Sequence, residues 1–209
     1  MLQGLFSRHT RLVGAVISAL GIAVLSGAPA KAALINTDAC DNAALSQPFA
    51  QWNDSNEYKL IPGGSFENGA SGWTLSGGAR IVSGSEPFGA TGSVGASSVY
   101  LPAGASVTSP FTCVDAAYPT FRFFARNNGL LSTVAVSVVY KLPLLGIEAA
   151  VPVGAAALSP AWSPSAPMLT ASVLTGLLHG GTVPMGLRFT ALTGSSQIDD
   201  VFVDPRMRY

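Results

Sequence analysis

The sequence contains 209 residues, of which 48% are hydrophobic and only 11% are charged. Its 11 basic and 11 acidic residues balance, so the chain lacks the excess of positive charge that a nucleic-acid-binding face needs. The length is enough for one domain with a substantial core.

Residues 1–32 have the pattern of a secretory signal peptide. Arg8 and Arg11 precede an apolar run at residues 12–25, and small residues follow up to an Ala-x-Ala cleavage site that ends at Ala32. The apolar run is shorter than the about 20 residues that a membrane-spanning helix needs, which favours cleavage over a retained anchor. We therefore expect a protein that is secreted, extracellular or at the cell surface, with no membrane span after cleavage. Three basic residues leave with this segment, so eight remain against 11 acidic ones, a net charge of −3.

The two cysteines, Cys40 and Cys113, both lie after this segment. In an oxidising compartment, two lone cysteines most simply form one disulfide, which would hold the segment before the first strand against the middle of the chain. A metal-binding or catalytic thiol is the competing interpretation, but the sequence has no Cys-x-x-Cys pair to support it.

Residues 33–57 are polar and irregular, and we interpret them as a lead-in held in place by the disulfide. From residue 58 to residue 209, strand signals recur between Gly- and Pro-rich turns. The predicted strands are 58–61, 73–76, 79–83, 97–101, 105–109, 120–126, 133–141, 147–153, 183–190 and 197–203. This rhythm, with little helix, is typical of an all-β sandwich of two antiparallel sheets.

The connections between these strands predict hairpins. Gly77-Gly78 joins the second and third strands, and Pro102-Ala103-Gly104 joins the fourth and fifth. Another turn, around Pro143 and Gly146, joins strands 133–141 and 147–153. Residues 170–178 have apolar side chains at roughly helical spacing, which predicts either one short helix or an apolar loop.

The segment 62–73 is the most distinctive stretch. It reads Pro-Gly-Gly-Ser-Phe-Glu-Asn-Gly-Ala-Ser-Gly-Trp, with glycines that permit tight turns and with Phe66 and Trp73 as large apolar side chains. Residues 197–203 read Gln-Ile-Asp-Asp-Val-Phe-Val. Together the two stretches resemble the galactose-binding-like jelly rolls of many secreted carbohydrate-binding modules. The resemblance covers the two ends of the domain and implies a jelly-roll sandwich.

The resemblance also implies a structural calcium ion where the first and last strands meet. The candidate ligands are Glu67, Asp199 and Asp200. The residues give partly independent support, because Asp200 shares a strand face with Ile198 and Phe202, and a buried carboxylate needs a cation or hydrogen-bond donors. The alternative is that Asp200 accepts backbone hydrogen bonds or pairs with Arg80 or Arg188. No motif requires any other cofactor.

A sugar site usually combines an aromatic platform with polar groups. Arg122 and Arg126 alternate with apolar residues, so both should point away from the core together with Phe124. Arg188 does so on its own strand, and if these strands are neighbours the arginines form a cationic face for a carboxylate or an acidic sugar. The alternative is a solvated outer face on which the arginines pair with acids. The candidate ligand-binding residues are Tyr100, Tyr118, Arg122, Arg126, Trp162 and Arg188.

Sequence motifs of enzymes are absent. The chain after residue 32 has one histidine, His179, and no Gly-x-Ser-x-Gly, His-Glu-x-x-His or phosphate-loop sequence. We therefore predict a non-catalytic binding domain for an extracellular carbohydrate or a cell-envelope glycan, an argument that depends mostly on the fold. The alternative is a structural or protein-interaction protein of the cell surface with no sugar site. A hydrolase would need a buried pair of acids in a cleft, one with a strongly raised pKa.

Overall fold

The computed structural model describes residues 44–115, 120–129, 131–142, 147–170 and 182–204, all within the compact unit Ala33–Tyr209. The first element is a short 3-10 helix, Ala50–Trp52. The strands that follow are β1 (Lys59–Leu60), β2 (Thr74–Ser76), β3 (Arg80–Ser83), β4 (Ser97–Leu101), β5 (Ser106–Thr108), β6 (Thr112–Asp115), β7 (Thr120–Asn127), β8 (Ser132–Leu142), β9 (Ile147–Leu158), β10 (Ser163–Pro164), β11 (Met168–Leu169), β12 (Thr182–Thr193) and β13 (Ser196–Asp204). Among the described residues, no helix is long and apolar enough to cross a bilayer.

The strands form two antiparallel sheets. A seven-stranded sheet has the order β10-β7-β13-β4-β3, with β1 also paired to β13 and β11 to β7. A six-stranded sheet has the order β2-β5-β12-β8-β9, with β6 also paired to β12. The predicted all-β jelly-roll sandwich of two antiparallel sheets is confirmed.

The main core lies between the sheets and follows the period-two alternation of the strands. Val134, Val136 and Val138 occupy alternate positions on β8 and are completely buried. Phe123 of β7 and Phe189 of β12 meet edge to face, with ring centroids 4.9 Å apart. Contacts of this kind join the two sheets through apolar surface.

Two of the predicted hairpins are wrong. β2 pairs with β5 in the six-stranded sheet, whereas β3 pairs with β4 in the seven-stranded sheet. The turns at Gly77-Gly78 and at Pro102-Ala103-Gly104 therefore carry the chain from one sheet to the other. Gly77 has a φ of 68°, and a Cβ there would lie 2.8 Å from the Cα of Ala105, so these two turns pack against each other.

The third predicted hairpin is confirmed, since β8 and β9 pair from Ser132↔Leu158 to Leu142↔Ile147. Three short strands, β6, β10 and β11, were not predicted. Several predictions concern residues outside the described ranges: Cys40 of the disulfide, Tyr118, and most of the segment 170–178. Cys113 belongs to β6, opposite Pro184 of β12.

A second apolar cluster lies on the outer face of the seven-stranded sheet. Phe124 of β7 and Phe202 of β13 point outward, because their sequence neighbours belong to the main core. They pack with Phe49 and Tyr58 of the lead-in, and the rings of Phe49 and Phe124 stack with centroids 5.4 Å apart. Within the described residues, the lead-in is thus held against the sheet by aromatic packing.

The segment 61–73, which we call the anchor loop, is joined to the last strand by backbone hydrogen bonds. The Ile61 N–H donates to the Val201 carbonyl at 2.9 Å, and the Val201 N–H donates to the Gly64 carbonyl at 3.1 Å. Within the loop, the rings of Phe66 and Trp73 pack 4.9 Å apart, and the Trp73 indole N–H donates to the Pro62 carbonyl. The loop therefore takes the place of a regular strand beside β13.

The close approach at Gly64 generates a stability prediction. A Cβ there would lie 2.9 Å from the Ile61 carbonyl oxygen and 3.0 Å from that of Val201, and both are backbone atoms that cannot rotate away. We expect Gly64→Ala to lower the free energy of unfolding by about 1–3 kcal/mol, measured by chemical denaturation.

Gly129→Ala is the matched control, because a Cβ at Gly129 would have nothing within 4 Å. Its effect should stay within about 0.5 kcal/mol. Equal stability of the two variants would contradict the close approach at Gly64.

Candidate functional site

Five side chains form a line across the outer face of the seven-stranded sheet. The backbone register pairs Arg80 with Tyr100, Tyr100 with Gln197, and Gln197 with Arg126. Trp162 continues the line, since the next residue, Ser163, pairs with Ala125 in the antiparallel direction. We call Arg80, Tyr100, Gln197, Arg126 and Trp162 the cross-strand row.

The members of the cross-strand row face away from the core and contact one another. Their sequence neighbours, such as Val99, Ala125 and Ile198, lie in the main core, so the row occupies the opposite face. The guanidinium carbon of Arg80 lies 4.3 Å from the ring centroid of Tyr100.

At the other end of the row, the guanidinium carbon of Arg126 lies 5.3 Å from the ring centroid of Trp162. The Arg126 Nε donates to the Gln197 Oε1 at 2.5 Å. Arginine thus lies over an aromatic ring at both ends, an arrangement that is favourable by cation–π attraction.

The row is accessible along most of its length. Arg80 is exposed, Tyr100, Arg126 and Trp162 are half-buried, and only Gln197 is largely covered, at 6% exposure. Four strand spacings of about 4.8 Å give the row a length of about 19 Å. The surface is long, narrow and planar, with aromatic rings near both ends and a polar centre.

Sequence reasoning identified Tyr100, Arg126 and Trp162 as candidates but not the register that brings them together. Arg80 was considered only as a partner for Asp200, and Gln197 was not considered for binding. Strand pairing is the missing information, because it joins residues that are far apart in the chain. Only a prediction of which strands pair, and in which register, could have located this line of residues from the sequence.

Arg122 was expected on the same open face, but it is buried, with 6% exposure. The lead-in covers it. Its Nη1 donates to Asp54 Oδ2 at 2.8 Å, its Nε donates to the Ser165 carbonyl at 2.8 Å, and its guanidinium carbon lies 4.3 Å from the ring centroid of Phe49. Arg122 therefore contributes to attachment of the lead-in and does not reach the cross-strand row.

Arg188 lies on the other sheet. It belongs to β12 of the six-stranded sheet, and its Nε donates to Thr108 Oγ1 at 3.1 Å. The strands that carry Arg122, Arg126 and Arg188 are therefore not neighbours, and the proposed face of three arginines does not form. Tyr118, another candidate, lies outside the described residues.

Four acidic side chains gather beside the row, and we call Glu67, Glu86, Asp199 and Asp200 the carboxylate cluster. A β-bulge between Asp199 and Phe202 interrupts the pairing of β13 with β7, and Asp200 there has a φ of 44°. Asp199 accepts hydrogen bonds from Ser85 Oγ at 2.6 Å and from the backbone N–H groups of Glu86 and Asp200. The bulge thus turns both aspartates toward the loop that follows β3.

The other two acids also accept backbone donors. Glu86 accepts the N–H groups of Phe88 and Ala90, and Glu67 accepts those of Ala96 and Ser97. These bonds hold the whole loop between β3 and β4 in one conformation. Glu86 was not identified from the sequence, where it lies 113 residues before its partner Asp199.

Asp200 is buried beside the carboxyl groups of Asp199 and Glu86, whose charges oppose its ionisation. Burial raises the pKa of Asp199 to about 7, and burial together with the charge of Asp199 raises the pKa of Asp200.

The structure brings the predicted calcium ligands Glu67, Asp199 and Asp200 into one cluster. It does not arrange them as a ready set, since no group of three acidic, histidine or cysteine side chains among the described residues is placed to hold a metal ion. Glu67 and Asp199 already accept donors on both oxygens. The calcium ion remains a prediction.

Two cavities that are lined by described residues lie away from the carboxylate cluster. One, of about 530 Å³, lies between the lead-in and residues 88–92 and is lined by side chains such as Leu60, Phe88 and Phe202. The other, of about 260 Å³, lies between β7 and β9, and its lining includes five alanines together with Phe123 and Met168.

Comparisons with known proteins find similar structures but no related sequences. No protein-family model and no curated protein matches the chain. One similar structure contains the CBM22-1 and GH10 modules of endo-1,4-beta-D-xylanase 10B from Clostridium thermocellum, complexed with xylohexaose; it is 17% identical, covers 69% of this chain and 28% of that one, and has a TM-score of 0.47.

Two further similar structures are a xylan-binding domain and an adhesin domain. The CBM22-1 xylan-binding domain of Xyn10C from Paenibacillus barcinonensis is 12% identical, with coverage of 69% and 93% and a TM-score of 0.44. The K1 cleaved adhesin domain of Lys-gingipain from Porphyromonas gingivalis is 11% identical, with coverage of 68% and 96% and a TM-score of 0.46. The neighbours thus include carbohydrate-binding modules, the class that the anchor loop and the C-terminal strand resemble.

The raised pKa values generate a pH prediction. Because the folded state holds protons that the unfolded carboxyl groups release near pH 4, stability should fall as the pH rises from about 4 to about 7. The expected slope is about 1.4 kcal/mol per pH unit for each retained proton. Thermal unfolding in EDTA between pH 5 and pH 8 measures it.

Asp200→Asn is the matched variant, since asparagine tolerates the positive φ and its amide can donate to Glu86. It should show a smaller loss of stability between pH 5 and pH 8 than the wild type. Equal slopes would contradict a raised pKa at Asp200. If calcium binds the cluster, excess Ca²⁺ at pH 8 should raise the unfolding midpoint of the wild type and not that of the variant.

Proposed function

We propose that this chain is an extracellular, non-catalytic carbohydrate-binding domain, and that the cross-strand row is its binding surface. The observation that carries the proposal is the register of the row. The line of five strand positions carries the aromatic rings of Tyr100 and Trp162 near its two ends. The other three positions carry the Gln197 amide and the guanidinium groups of Arg80 and Arg126.

This combination suits the chemistry of sugars. A pyranose ring has an apolar face of C–H groups and a rim of hydroxyl groups, so it packs on an aromatic side chain while hydrogen bonds hold its edge. Tyr100 and Trp162 supply the rings, and Gln197 supplies an amide between them. The length of about 19 Å suits an extended oligosaccharide rather than a single sugar.

The residues of the row supply binding groups rather than catalytic ones. None of its five members is an acid, a histidine, a lysine, a cysteine or a serine, so the Tyr100 hydroxyl is the one group of the row that could act as a nucleophile or a general base. Of the nearby acids, Glu86 and Asp199 are 0% exposed and Asp200 is 3% exposed, whereas Glu67 is exposed and accepts backbone N–H groups of Ala96 and Ser97. A substrate bound on the row would not reach the three buried acids.

Secretion is part of the proposal and rests on the leader pattern of residues 1–32. An exported domain with a planar aromatic surface can meet polysaccharides of a cell wall or an envelope without entering a cell. The predicted alternative is a surface protein with no sugar site, and the arginines of the row favour it. That alternative does not account for the positions of Tyr100 and Trp162 near the two ends of one line.

Removal of either ring tests the proposal. We expect Trp162→Ala and Tyr100→Ala each to weaken binding to a soluble polysaccharide by about tenfold or more, because a truncated aromatic anchor commonly costs over 1 kcal/mol. Affinity gel electrophoresis of the protein without residues 1–32, against a panel of neutral and acidic polysaccharides, measures the change.

Arg188→Gln is the matched control, since it removes a half-buried arginine from the outer face of the opposite sheet. It should leave binding unchanged. Binding that survives both ring truncations, or that Arg188→Gln abolishes equally, would overturn the row as the site, provided that circular dichroism shows each variant folded.

A further inference from the structure

The two arginines of the cross-strand row have no acidic partner among the described residues. Arg122, on the covered part of the same face, pairs with Asp54 at 2.8 Å. Arg80 and Arg126 instead lie over aromatic rings, and the one hydrogen bond at Arg126 goes to the neutral amide of Gln197. Two positive charges therefore remain uncompensated on one line of the surface.

These guanidinium groups are held in place before any ligand binds. The ring of Tyr100 supports Arg80, and the ring of Trp162 together with Gln197 supports Arg126. Because Arg126 uses its Nε for Gln197, its Nη groups stay available to a ligand. A planar guanidinium that is already oriented matches the two oxygens of a carboxylate and loses little conformational freedom on binding.

The buried acids beside the row do not oppose an anionic ligand at close range. Asp199 lies two residues beyond Gln197 on β13, but it is 0% exposed; it accepts two hydrogen bonds from the loop after β3 and a third from the backbone N–H of Asp200. Glu86 is equally buried and accepts two backbone N–H groups. Both carboxyl groups are turned into that loop and neither contacts the arginines of the row.

The spacing of the arginines indicates the form of the ligand. Arg80 and Arg126 are three strand positions apart, about 14 Å, so they cannot converge on one small anion. A neutral polysaccharide lying on the row would cover both guanidinium groups with no counter-charge, which carries a desolvation cost. A chain with carboxylates at intervals would supply that charge.

We propose that the ligand of the cross-strand row is a polysaccharide that contains uronic acid, with Arg80 and Arg126 each binding a sugar carboxylate. This inference rests on the proposed function, because it names the class of glycan for the same site. Tyr100, Gln197 and Trp162 hold the sugar rings between the two charges.

A pair of polymers with the same backbone tests the inference. Polygalacturonate carries free carboxylates, and its fully methyl-esterified form is neutral. We expect the protein without residues 1–32 to bind polygalacturonate at least tenfold more tightly than the ester, measured by affinity electrophoresis and calorimetry. Arg80→Gln and Arg126→Gln should each remove most of this preference, while Arg188→Gln keeps it. Alginate and dextran sulfate complete the panel.

The outcomes separate the two proposals. Equal binding of both polygalacturonate forms, lost on Trp162→Ala, would keep the sugar site and overturn the uronate inference. Failure to bind either uronate polymer would overturn the inference, and failure to bind any polysaccharide would overturn the proposed function as well. Dextran sulfate binding as tight as polygalacturonate, or loss of the preference in Arg188→Gln, would indicate general attraction of polyanions and would also overturn the inference.

Discussion

The pairing of β13 determines how the rest of the described chain is arranged. Its first residues run between β4 and β7, so Gln197 has Tyr100 on one side and Arg126 on the other. The pairing with β4 ends at Ile198, and the bulge after Asp199 interrupts the pairing with β7. Beyond Ile198 the anchor loop, in place of β4, forms hydrogen bonds with Val201. One strand, buried at all nine residues, therefore positions both the cross-strand row and the carboxylate cluster.

The outer face of the seven-stranded sheet has two parts: the lead-in is attached to one part, and the other part is accessible. Arg122 and Arg126 lie four residues apart on β7 and point the same way. The lead-in covers Arg122 and supplies Asp54 and Phe49 as its partners, whereas Arg126 remains half-buried beside Trp162. The same residue type is thus structural under the lead-in and available for binding beyond it.

The sequence predicted the strands better than their partners. Alternation located β7 and β8, because a buried face leaves a period of two and this pattern is local, whereas β13 is buried at all nine residues. Gly77-Gly78 and Pro102-Ala103-Gly104 looked like hairpin turns because a tight turn has the same residues whether it joins paired strands or crosses between sheets. The burial of Arg122 and the place of Glu86 depend on residues far away in the chain, which no local pattern records.

The most direct test of the binding surface follows the three tryptophan indole N–H resonances by NMR during titration with oligogalacturonate. Trp162 belongs to the cross-strand row, whereas Trp73 is buried in the anchor loop with its N–H bonded to Pro62. The resonance of Trp162 should shift with saturation while that of Trp73 stays in place. A saturable shift of Trp73 or Trp52 alone would contradict the assignment of the row as the glycan-binding surface, and no shift of any indole would contradict the uronate ligand.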